Sequence, residues 1–90
     1  MKVGLYAVLD NCTGVYDGPV PAHNDATAMR NFAHMAQNPE GPIGKNPSDF
    51  SLWWVGTYND ATGEIDPQIK KCLLHAIDVI TPNNEVELNA

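Results

Sequence analysis

FSLWWVGTYNDATG, residues Phe50–Gly63, places two tryptophans side by side ahead of a turn-forming end. Aromatic and β-branched residues dominate Phe50–Tyr58, which reads as a strand, and Asn59–Gly63 reads as the turn that closes it. Successive side chains in a strand point to opposite faces. One face then carries Phe50, Leu52, Trp54, Gly56 and Tyr58, and the other carries Ser51, Trp53, Val55 and Thr57. The two indoles diverge. If helices cover one face only, one indole is left to pair with a nucleobase, a second subunit or the long loop of its own chain. Alternatively, both faces are covered and both rings are buried.

Upstream, Lys2–Leu9 alternates in the same manner and predicts a strand. Asp10–Gly14 (DNCTG) is a turn in which Gly14 supplies the left-handed position. A shorter strand follows near Val15–Val20, and Pro19 marks it as an edge strand or a bulge. His23–Pro39 reads as a helix capped by Asn24 or Asp25, with Ala28, Met29, Phe32, Met35 and Ala36 as its apolar stripe. Asn38–Asp49 is a long loop with three prolines and two glycines, either functional or a stiff crossover.

Downstream, Glu64–Asp66 begins a returning strand, and Asp66-Pro67 is a helix start with Asp as cap and Pro at the first position. Ile69, Cys72, Leu73, Ala76, Ile77 and Ile80 recur at helical spacing, although KKCLLHAIDVI also fits a strand in part. LDNCTGVYDGPV (Leu9–Val20) and YNDATGEIDPQI (Tyr58–Ile69) echo one another, through duplication or through shared hairpin chemistry. The predicted fold is α+β: a small antiparallel sheet of two β-hairpins, with one or two helices packed on one face, in ββα-ββα order. Residues 1–80 form the predicted domain and 81–90 a flexible C-terminal tail.

Composition narrows the function. The 90 residues carry eleven acids against five bases, a net charge of −6. That balance disfavours tracking of a phosphate backbone and binding to anionic membranes. No apolar stretch approaches membrane-spanning length, and no signal peptide is visible. Cys12 and Cys72 are read as reduced thiols. Cys72 and His75 have ligand-like spacing, but no second pair completes a zinc site. GPIGK (Gly41–Lys45) lacks the phosphate-loop spacing and is at most a loose anion-contacting loop. The acids are scattered through turns and caps, without a general acid–base constellation, so the chain is expected not to be an enzyme and to need no cofactor.

MKVGLYAVLDNCTGVY, DATAMRNFAHMAQNP, KNPSDFSLWWVGTYNDATGEI and AIDVI together resemble the small nonstructural protein of gokushovirus-type microviruses, phages with circular single-stranded DNA genomes. The resemblance extends to about residue 80, and its most specific part is Asp49-Phe50, Leu52-Trp53, Val55-Gly56, Asp60 and Gly63 after the Ala28–Phe32 helix segment. It implies a non-capsid protein in the cytoplasm of the infected bacterium, acting in DNA replication or in the switch to single-strand packaging. Relatives carry a basic residue where this chain has Trp54, which implies that Trp54 faces outward and Trp53 inward. The expected contact surface is Trp54, Tyr58, Arg30, Lys45, Lys70 and Lys71, binding single-stranded DNA or replication proteins through ring stacking and lysine–phosphate contact. The rival expectation is a protein–protein interaction module, a homodimer or an adaptor to a phage or host protein, with Trp54 as its anchor.

Overall fold

The computed structural model describes residues 1–80, so the predicted tail at 81–90 lies outside the described residues. Four strands form one sheet: β1 (Lys2–Asp10), β2 (Val15–Ala22), β3 (Phe50–Asn59) and β4 (Ile65–His75). Their order is β2-β1-β3-β4, and every neighbouring pair is antiparallel. Three short helices complete the α+β fold: α1 (Asp25–Ala36), α2 (Pro42–Lys45) and α3 (Ala76–Ile80), with a 3-10 turn at Pro47–Asp49.

The two hairpin turns are built alike. Asp10 and Asn59 each accept the backbone N–H two residues on (2.9 and 3.0 Å), and their carbonyls accept from Gly14 and Gly63 (2.7 Å each). Thr13 and Thr62 hydroxyls each accept the N–H two residues further along, at 3.3 Å. Gly14 and Gly63 take φ of 75° and 80°, the left-handed conformation expected of both. As predicted, β2 is an edge strand, and its register shifts opposite Tyr6–Val8, where Gly18 and Pro19 interrupt the ladder.

α1 begins where expected. The Asn24 side chain accepts from the Thr27 N–H at 2.8 Å. Its apolar stripe places Ala28, Phe32 and Ala36 against Tyr6 and Leu52 of the sheet, with Ile43 and Ala76 closing the same core. The Asn38–Asp49 segment is therefore folded rather than open: α2 and the 3-10 turn carry Ile43 into that core. Tyr6, 2% exposed, donates its hydroxyl to Asp25 Oδ1 at 2.7 Å, tying β1 to the first turn of α1. Burial, then this hydrogen bond, then the charge of Asp25 push the phenol well above the usual tyrosine range.

Two expectations are corrected. Residues 67–75 are strand, not helix: Leu74 pairs with Leu52, Cys72 with Trp53 and Lys71 with Trp54, and α3 starts only at Ala76. Ladder pairing with β3 outweighs the helical spacing and the Asp66-Pro67 start signal, because propensity yields to tertiary hydrogen bonding and burial. Second, the alternation of β3 does not run unbroken. Val55 has no partner in either ladder, so Gly56 does not continue the Leu52–Trp54 row and instead pairs with Leu5 and Pro67. Gly56 is required there, since a Cβ would lie 2.5 Å from the Asp66 carbonyl oxygen.

Candidate functional site

The buried residues of all three helices meet Tyr6 and Leu52, so the helices lie on that face of the sheet. Trp54 pairs with Tyr6 across β1/β3 and packs against the same core. Trp53, its neighbour, points to the face without helices. The expected assignment is thus reversed: Trp54 is the core-side indole and Trp53 the outward one. The register explains this. Tyr6 must lie under α1 to reach Asp25, and its partner on β3 goes with it. Both indoles are half-buried.

Three strands converge on Trp53. Its Nε1–H donates to Ser51 Oγ at 2.8 Å, which satisfies a hydroxyl only 2% exposed and fixes the indole plane. Across the strand lies Ala7, small and buried. Tyr16 of β2 pairs with Leu9, the partner of Ser51, and its ring meets Trp53 edge-on, with centroids 6.0 Å apart at 80°. Lys70 of β4 sets its Nζ 5.7 Å from both ring centroids. Beside them, Cys72 Sγ lies 3.6 Å from His75 Nε2. Both cysteines are free.

The remaining expected residues do not gather at this place. Lys71, adjacent to Lys70, diverges to Trp54 and sits 5.7 Å from its centroid. Tyr58 lines a separate cleft of about 400 Å³ with Val3, His23, Asn31 and Asp60. Arg30 and Lys45 are exposed on α1 and α2, and among the described residues they make no hydrogen bond, ion pair or ring contact with either tryptophan. The GPIGK amides are partly used internally: Gly41 N–H donates to the Asn38 carbonyl and Lys45 N–H to the Gly41 carbonyl.

Sequence reasoning missed Tyr16 and Trp53 as a pair. The signal was the turn itself: a four-residue Asn11–Gly14 connection pairs Asp10 with Val15 and so sets Tyr16 opposite Leu9, the partner of Ser51.

Chemically, the cluster offers two aromatic rings and one ammonium on the sheet face opposite the described helices. A cation over an exposed ring is worth about 0.5–1 kcal/mol. Stacking a base on an aromatic ring is worth about 1–3 kcal/mol, so a nucleobase can displace Lys70 from the rings toward a phosphate. Among the described residues no group of three His, Cys, Asp or Glu could hold a metal ion, and no helix is long and apolar enough to cross a membrane.

The family model described as Phage ORF5 protein matches residues 3–79. No curated protein and no solved structure matches the chain.

Proposed function

The chain belongs to the Phage ORF5 protein family, and from that premise we propose that this phage protein is a non-enzymatic accessory factor that binds single-stranded DNA through Trp53, Tyr16 and Lys70. The setting we infer is a gokushovirus-type microvirus, with the protein acting in the infected bacterial cytoplasm during viral DNA replication or the change to single-strand packaging. The observation that carries this reading is the cluster in which one ammonium lies 5.7 Å from two mutually edge-on rings. Sequence-tolerant single-strand binders use this combination, since every base has a π-face and every nucleotide a phosphate.

The net charge of −6 opposes a polyanion at long range. Binding is therefore expected to be dominated by stacking, with a shallow salt dependence. One lysine meeting one phosphate contributes a slope of only about −0.7 in log K against log salt for a single strand. Titration of the tryptophan emission with oligothymidylate at low and high salt tests the reading. Saturable quenching that persists, weakened, at high salt supports it, and absence of quenching at low salt contradicts it.

A further inference from the structure

We propose that the groove between β2 and the C-terminal end of α1 docks a partner protein through a short cationic amphipathic segment, one that alternates large apolar side chains with Lys or Arg. This surface lies on the helix-bearing face and is independent of the Trp53 cluster.

The groove has a volume of about 590 Å³, and Val8, Val15, Val20, Met35, Ile43 and Phe50 supply its apolar lining. Three of these are unusually bare for their size: Val15 and Val20 are each 58% exposed and Met35 is 47% exposed. Met35 belongs to the apolar stripe of α1, yet it lies beyond the reach of the core and projects into the groove instead. Apolar side chains left uncovered together, from two different elements, mark an interaction surface more often than chance exposure does. Methionine suits such a surface, because its flexible thioether adapts to differing partners.

Charge selects the occupant. Asp10 and Asp17 also line the groove, and among the described residues no Lys or Arg does. Asp10 uses one oxygen on the Cys12 N–H, and Asp17 is exposed. The carboxylates at this rim repel phosphate and favour cations, as does the chain as a whole. A nucleic acid is thereby disfavoured, and so is a second copy of this acidic chain, which would bring its own charge of −6. A segment with apolar side chains for Val15, Val20 and Met35, and basic ones for Asp10 and Asp17, satisfies both features.

The test is an amide-shift titration of the ¹⁵N-labelled protein with a synthetic Lys/Leu amphipathic peptide, with a Glu/Leu peptide of the same apolar pattern as control. Saturable shifts centred on Val15, Val20, Met35 and Ile43 with the Lys/Leu peptide alone support the proposal. Met35→Lys, a substitution at an exposed position, is then expected to weaken binding by about tenfold or more. Shifts spread over the acidic surface, or insensitive to Met35→Lys, overturn it, as does an equal response to the Glu/Leu peptide. Self-association of the wild type that Met35→Lys abolishes would make the occupant a second copy and overturn it too. The wild-type shift map needs no variant, so a folding failure leaves the proposal open to refutation.

Discussion

Trp53 and Trp54 are one residue apart and live in different environments. Trp54 lies on the helix-bearing face, opposite its ladder partner Tyr6, and packs against the buried core. Trp53 donates a hydrogen bond to Ser51 and is flanked by Tyr16 and Lys70, with none of the described helices above it. The same side chain thus packs against the core on one face of the sheet and lies outside that core on the other. Pleating alone separates the two environments, and the β1 register decides which ring takes which.

Substitutions can pull this contrast apart. The largest effect is expected on the covered face: Phe32→Ala, at a site with no exposure, should cost about 3–5 kcal/mol in urea unfolding. Trp54→Leu should cost less, about 1–3 kcal/mol, and leave oligonucleotide affinity intact once the fraction folded is accounted for. Equal loss of DNA binding and stability in that variant would erase the distinction between the faces.

Tyr6→Phe sharpens the account of the covered face through pH. Loss of the bond to Asp25 should cost about 1 kcal/mol at neutral pH. The folded state holds the Tyr6 proton more tightly than the unfolded chain does. That contribution is therefore intact below about pH 10 and is lost as the pH rises beyond it. Wild type should lose stability in alkaline solution more steeply than Tyr6→Phe, and parallel curves would contradict the assignment. The smallest stability effect belongs to the open face. Lys70→Ala should change unfolding by less than about 1 kcal/mol while flattening the salt dependence of oligonucleotide binding by about 0.7 in slope.

Local signals carried much of the fold. The Asp10–Gly14 and Asn59–Gly63 turns, the Asn24 cap and the buried Phe32 stripe each rest on chemistry within a few residues, and each formed where its residues predicted. Residues 67–75 did not, since their apolar spacing satisfies a helix as well as a strand. Only the partner strand decides, by giving Cys72 and Leu74 places opposite Trp53 and Leu52. The clustering of rings with a lysine was legible in type but not in place. Of the residues expected to gather, Lys70 joins an aromatic cluster, with Tyr16 and Trp53 in place of Tyr58 and Trp54. Which indole faces outward depends on the register with β1, and the Val55 bulge interrupts the alternation that sequence can read.

The outward role of Trp53 is most directly tested by single-tryptophan emission during oligothymidylate titration. In Trp54→Phe, where Trp53 is the sole reporter, the account predicts saturable quenching. In Trp53→Phe, where only Trp54 reports, it predicts none. Quenching of Trp54 with Trp53 silent would contradict the account and return the contact surface to the helix-bearing face.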